Sequence, residues 1–180
     1  MSELDEDWAL ALAKAEARAR VAGRQDIAEY LALRSSNDLT RKIASDWLLG
    51  MFAAAAGEAN RAGAAIQIST ESSHRFKVGQ ATMVGSRLSL ARGLRTLLVE
   101  TGWPRAPRDG FIRGGGLACG NIKHLGIKHA NEELRLVVDP AGTPRWIVIG
   151  RLEPRELHET NVKDHLAILL DNSRNPRTRA

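Results

Sequence analysis

The chain has 180 residues, 43% of them hydrophobic, with 26 Lys/Arg against 21 Asp/Glu and a formal net charge of +5. That length suits one domain, or one domain with a helical appendage, and can bury a core that hides roughly two-thirds of the unfolded surface. No apolar run reaches the ~18 residues of a membrane span, and the acidic start Glu3-Leu4-Asp5-Glu6-Asp7 has the wrong charge for a secretory signal. The single Cys119 excludes an internal disulfide framework and fits a reducing compartment, so the cytoplasm is the expected location.

The first third reads as helix. Asp5 or Asp7 can cap a segment whose stripe is Trp8, Leu12, Ala15 and Ala19, and Gly23 is placed to end it. Ile27, Tyr30 and Leu31 predict a short second helix. Ser35-Ser36-Asn37-Asp38 reads as a loop and cap, followed by the longest helix over 39–60. Its seam is Leu39, Ile43, Trp47, Met51 and Ala55, widened by Leu48 and Phe52. So broad an apolar stripe predicts burial against more than one neighbour, a second copy of the chain being one candidate.

At Gly63 the period falls from 3.6 to 2. Ile66, Ile68 and Thr70, then His74, Phe76 and Val78, predict two strands joined by Glu71-Ser72-Ser73. Residues 79–85 form a connection or a further short strand. Ser86 can cap a helix carrying Leu90, Leu94, Leu97, Leu98 and Thr101 on one face, with Gly102 and Pro104 as its stop. Phe111 and Ile112 begin another strand, which runs into a glycine-rich turn. A hairpin over 134–139 and 145–150 turns at Pro140-Ala141-Gly142. A last helix starts near Thr160 or Asn161 and carries Val162, Leu166 and Leu169. The expected architecture is α+β: an N-terminal helical segment (1–62, for packing or oligomerisation) on a mainly antiparallel sheet with two later helices (63–172). A flexible basic tail follows at 173–180.

Charge is uneven. Residues 1–63 hold 8 Lys/Arg and 10 Asp/Glu, whereas 64–180 hold 18 and 11. Between 75 and 128 there are 10 basic residues against Glu100 and Asp109. Arg75, Lys77, Arg87, Arg92, Arg95, Arg113, Lys123 and Lys128 are therefore the candidate contacts for nucleic acid. Arg75 and Lys77 share one strand face, opposite His74, Phe76 and Val78. Aromatic residues are too few for a base-stacking sheet, so the expectation is backbone contact with strong salt dependence.

Four further motifs bear on chemistry. Gly114, Gly115 and Gly116, with Gly120 nearby, can bring backbone N–H groups close to a phosphate. The spacing is neither a P-loop nor G-x-G-x-x-G, because Cys119 stands where the latter needs glycine. Cys119, His124 and His129 make a C-x4-H-x4-H spacing, three possible zinc ligands without a fourth. Cys119 paired with a histidine would need a pocket to act as a nucleophile, and no serine sits in a nucleophile-elbow setting. Asp109 followed by Asn121-Ile122-Lys123 resembles the divided acid and acid-x-Lys pattern of the restriction-endonuclease-like nucleases. That resemblance implies a metal-holding carboxylate at Asp109 and a water-activating Lys123. Asn121 departs from it, standing where an acid belongs, and a neutral amide is a poorer ligand for a hard cation.

The sequence thus leads to a non-enzymatic nucleic-acid-associated protein without a cofactor, its basic face within 75–128 and its 39–60 helix available for homo-oligomerisation. The alternatives are a divergent metal-dependent nuclease or phosphate-ligand enzyme using the 109–123 turn, and a structural assembly subunit.

Overall fold

The computed structural model describes residues 3–150 and 153–171; the basic tail expected at 173–180 lies outside them. The architecture is α+β. Helices α1 (Glu3–Val21) and α2 (Gln25–Arg61) precede a seven-stranded sheet, and a third helix, α3 (Glu159–Leu170), follows it. The strands are β1 (Gln67–Val78), β2 (Ala81–Arg92), β3 (Arg95–Trp103), β4 (Ala118–His124), β5 (Glu132–Val138), β6 (Pro144–Ile149) and β7 (Arg155–Glu156). They pair in chain order, every neighbour antiparallel. No helix among the described residues is long and apolar enough to cross a membrane.

The chain divides into two compact units, Met1–Ile43 and Ala44–Ala180. In the first, Leu12, Ala19 and Ala28 are buried, and the Arg34 guanidinium lies 5.1 Å from the centre of the Trp8 ring. Gly23, at φ +70°, closes α1 with the paired bonds of a Schellman cap: its own N–H to Arg20 and that of Arg24 to Ala19. Ser35, Ser36, Asn37 and Asp38 do not form the expected loop. They continue α2, Thr40 Oγ1 bonding back to the Ser36 carbonyl and Arg41 pairing with Asp38 at 2.7 Å. Asp5 and Asp7 lie inside α1 rather than capping it.

In the second unit, the rest of α2 ends at Gly63 in the same kind of cap, Gly63 N–H to Asn60 and Ala64 N–H to Ala59. Its inner side is Ala44, Leu48, Phe52 and Ala56. These residues form one core with Leu88, Leu90, Leu97, Val99, Ile122, Leu134, Leu136, Trp146 and Val148 of the sheet, and with Val162, Leu166 and Leu169 of α3. Period-2 alternation puts all the sheet members of that core on one face. Two polar links fix the helix on the sheet: Trp146 Nε1 donates to the Ala44 carbonyl at 2.9 Å, and Ser45 and Thr101 hydroxyls meet at 2.9 Å. Of the seam expected to be buried, Leu39, Ile43 and Trp47 are 60%, 58% and 51% exposed, whereas Met51 and Ala55 pack partly buried against the core, and Leu48 and Phe52 are fully buried.

The helix expected from Ser86 to Thr101 is a β-hairpin. Leu88 and Leu90 face Val99 and Leu97 across it, and Leu94 stands fully exposed at its tip beside Gly93, at φ +58°. Among the described residues α3 is therefore the one α-helix that follows the start of the sheet, where two later helices were expected. Gly102, expected as a helix stop, lies in β3 opposite Gly85. A Cβ on Gly85 would sit 2.0 Å from the Thr101 carbonyl oxygen, so the strands approach too closely for any side chain there. The two strands expected on either side of Glu71-Ser72-Ser73 are one, β1, bulged at Ser73 with φ +61°. Phe111 and Ile112 belong to a long loop rather than a strand. The hairpin over 134–149 and the last helix form, but the helix is capped at His158 rather than at Thr160 or Asn161, with Asn161 Oδ1 accepting from the His158 N–H.

Candidate functional site

The bulge at Ser73 shifts the alternation of β1 by one residue. Before it, Glu71 lies opposite Arg87; after it, His74 lies opposite Gly85 and Phe76 opposite Met83. His74 and Phe76 therefore reach the face of the sheet that the helices leave open, and Arg75 and Lys77 the other, as the sequence pattern implied. On the open face Arg87, Glu100, Asn121 and Glu133 form one row across β2 to β5.

Glu100 is the hub of that row. It is 5% exposed, and it accepts from Lys123 Nζ at 2.7 Å, Asn121 Nδ2 at 3.2 Å and His74 Nε2 at 3.1 Å. Burial alone would raise its pKa, but the bonds from Lys123, Asn121 and His74 outweigh burial and hold the carboxyl below its ordinary value. Both oxygens already carry donors, so the cluster is a satisfied ion network. Asp109 belongs to a different cluster: it is buried, and accepts from Arg75 at 3.1 Å and from the Arg105 and Ala106 N–H groups. Desolvation would raise its pKa too, and those N–H bonds with the charges of Arg75 and Arg108 lower it. Asp109 and Lys123, the two positions carried by the nuclease resemblance, are thus each engaged by other groups.

The zinc spacing is not realised as a cluster. Cys119 is buried on the open face, His124 points into the helix-covered core, and His129 lies in an exposed 3-10 turn. Among the described residues no three His, Cys, Asp or Glu side chains are grouped to hold a metal ion. Instead His124 Nε2 meets His165 Nδ1 at 3.0 Å, and His165 Nε2 reaches the Glu132 carboxylate at 3.4 Å. Burial, reinforced by the charges of His165 and Arg95, pushes the His124 pKa down to about 4.

The basic set does not gather on one face. Arg87 pairs with Glu71 at 2.6 Å, Arg75 with Asp109, and Lys123 with Glu100. Arg92 and Arg95, expected side by side on a helix, flank the β2–β3 turn. Arg92 donates to the carbonyls of Ala64 at 3.0 Å and Leu170 at 2.7 Å, and Arg95 to that of Ile168 at 2.6 Å. They close the C-terminal end of α3, where unpaired carbonyls favour a cation. Lys128 sits in the β4–β5 connection, at that same end of the sheet.

At the opposite end the β1–β2 turn meets the loop over 104–117. Gly110 packs on Ala81, and Asp109 ties the loop to Arg75. Lys77, Arg105, Arg108 and Arg113 are all exposed there, together with Phe111, which is 73% exposed. Arg105 stacks 3.9 Å from the Trp103 ring centre. Among the described residues no acidic side chain forms an ion pair with Lys77, Arg108 or Arg113, and Asp109, the loop's one acid, is already internally engaged. Arg108 was counted in the basic set between 75 and 128 without being singled out as a contact, and Phe111 was not a candidate contact. The signal for both was the alternation of cations with an aromatic ring in Arg105-Ala106-Pro107-Arg108-Asp109-Gly110-Phe111-Ile112-Arg113.

Gly114, Gly115 and Gly116 have φ of 77°, 81° and 101°, so the turn needs glycine three times over. Space demands it as well: a Cβ on Gly114 would lie 2.6 Å from Arg135 Nη1, and one on Gly116 2.7 Å from Arg135 Cγ. The turn is folded over Arg135, whose Nη1 donates to the Gly114 carbonyl at 3.1 Å. Gly120 is not part of it. It lies within β4, where a Cβ would meet the Glu100 carbonyl oxygen at 2.9 Å.

No family model matches the chain, and no curated protein or solved structure matches it. The fold defines the class, an antiparallel α+β meander, and function rests on the residues themselves.

Proposed function

We propose that the protein is a non-enzymatic nucleic-acid-associated binding protein that contacts the phosphate backbone through the loop end of its sheet. The supporting observation is that Lys77, Arg108 and Arg113 are exposed at that end, with no ion pair among the described residues, and that Phe111 is exposed in the same loop as the two arginines. Unpaired cations attract phosphates by counterion release, and an exposed aromatic between them offers a face on which a base can stack. Of the eight cations singled out in the sequence, this reading retains Lys77 and Arg113 as primary contacts. Arg75, Arg87, Arg92, Arg95 and Lys123 already serve carboxylates or carbonyls of the fold. The decisive experiment is titration of a labelled single-stranded oligonucleotide at about 50 and about 200 mM salt. Affinity must fall steeply with salt; affinity that stays constant overturns the proposal.

A second reading, assembly through a second copy of the chain, is supported by the exposed stripe Leu39, Ile43 and Trp47 of α2. Three large apolar side chains one turn apart make a seam of the kind that helix pairs bury. Mass measured by light scattering across a concentration series tests it, and a concentration-independent monomer mass removes it.

A further inference from the structure

Beside the glycine turn, on the open face of the sheet, lies a cavity of about 150 Å³. Its walls are apolar, from Val78, Ala81, Met83, Ile112 and the Cys119 thiol, and Phe111 stands at the rim. Two arginines, Arg113 and Arg135, line it, and no acidic residue does. Glu133, next on the same face of β5, is exposed and is not part of the lining.

Arg135 is held unusually for a surface arginine. Its stem lies under Gly114 and Gly116, and Nη1 is anchored to the Gly114 carbonyl. Its Nε is buried and has no hydrogen-bond partner among the described residues. A buried donor left unpaired costs about 1–3 kcal/mol, more when it carries charge, so the Arg135 guanidinium is a strained cation with hydrogen-bonding capacity left over. The guanidinium keeps N–H donors beyond the one given to Gly114, and a positively charged donor group lining the cavity suits a carboxylate.

We infer that this cavity is a binding site for a compact organic monoanion: a carboxylate seated on Arg135, bearing an apolar body about the size of a phenyl ring. A cavity of ~150 Å³ with apolar walls is known to admit a benzene-sized guest. Arg113 at the mouth adds charge attraction, and the Val78, Ala81 and Met83 side chains take the body of the ligand. The cavity shares Arg113 and Phe111 with the proposed nucleic-acid surface, but Arg135 and the apolar walls belong to it alone, so Arg135→Lys tells the two proposals apart.

The test is a backbone-amide NMR titration of the full chain with benzoate, benzamide and inorganic phosphate. Benzamide keeps the shape without the charge; phosphate keeps the charge without the apolar body. Benzoate is expected to saturate with Kd on the order of 1 mM or tighter, shifting residues 78–83, 110–119 and 135, with both controls at least about tenfold weaker. Arg135→Lys, which keeps the charge but loses the fork, should weaken benzoate by at least about tenfold. Arg113→Gln, at an exposed position, should weaken it by a smaller factor without disturbing the fold. Equal binding of benzamide or of phosphate, shifts confined to surface cations outside the cavity, or unchanged affinity in both variants would each overturn the assignment. Where Arg135→Lys does not fold, the wild-type ligand series and Arg113→Gln decide the matter.

Discussion

The two ends of the sheet carry the same chemistry and use it in opposite ways. At the β2–β3 turn, Arg92 and Arg95 point back into the protein and close the last carbonyls of α3. At the β1–β2 turn and the 104–117 loop, Lys77, Arg108 and Arg113 are exposed and form no ion pair among the described residues, only the charge of Arg108 being felt by the neighbouring Asp109. The difference follows from what lies nearby. A helix end presents carbonyls that need donors, whereas a glycine-rich loop has only its own backbone to satisfy. Basic residues counted along a sequence therefore measure the sum of two populations, one holding the fold together and one available to a partner.

Acid gives the largest test of this contrast. The His124–His165–Glu132 chain lies at the α3 end, with His124 opposite Leu97 close to the β2–β3 turn. The His124 pKa is about 4 in the folded protein against an ordinary value of 6.5. Between those values the unfolded chain binds the proton and the folded one does not, so stability is full above about pH 6.5 and falls as pH drops towards 4. The shift corresponds to a loss of up to about 3 kcal/mol. Glu132, whose pKa is lowered mainly by the bond from His165, acts in the same direction at lower pH. Urea midpoints measured from pH 8 to pH 4 should fall, and His124→Gln should flatten that fall. A pH-independent midpoint would remove the α3 end from any role in acid sensitivity.

Substitution of the arginines separates the two populations directly. Arg95→Ala removes a charge-assisted bond to the Ile168 carbonyl at the negative end of a helix and should cost roughly 1.5–3 kcal/mol. Oligonucleotide affinity should stay unchanged at temperatures where the variant is folded. Arg108→Ala and Arg113→Ala should do the reverse: stability within about 0.5 kcal/mol of wild type, with weaker binding and a salt slope reduced by about one for each cation removed. If Arg95→Ala weakened binding as much as Arg113→Ala did, the two ends would not be functionally distinct.

Much of this arrangement could be read from the residues, and the remainder fails for identifiable reasons. The alternation over 134–149 and the turn at Pro140-Ala141-Gly142 specified a hairpin because both strands bury one face and a short loop joins them. Val162, Leu166 and Leu169 specified α3 for the same kind of reason. Leu90, Leu94, Leu97 and Leu98 pointed to a helix because their spacing fits both periods; Gly93, in the middle, was the contrary signal, and Leu94 marks the tip of the turn. Ser35 to Asp38 are weak helix formers that a continuous helix overrides on both sides. The role of Arg92 and Arg95 was beyond reach, since their acceptors on α3 lie 78 and 73 residues away in the chain and the other acceptor of Arg92, at Ala64, lies 28 away. Glu100 stood out only as a rare acid. Its partners are His74 from β1 and Asn121 and Lys123 from β4, and a bulge at Ser73 decides that His74 faces it at all.

The smallest expected effect concerns Arg87, which belongs to neither end. It sits mid-strand and pairs with Glu71 at 2.6 Å, the side chains being 36% and 51% exposed. Water screens such a pair and holding two long side chains costs entropy, so Arg87→Ala should change stability by no more than about 1 kcal/mol. Its charge is matched by Glu71, so oligonucleotide affinity should also stay within about twofold of wild type. Glu71→Gln sharpens the result by freeing the guanidinium without removing it. If binding rises in that variant while Arg87→Ala is silent, pairing with an acid, rather than position on the sheet, is what withdraws a cation from the partner. If Arg87→Ala weakens binding as strongly as Arg113→Ala, the interface extends along the open face and the division between the two ends is too sharp.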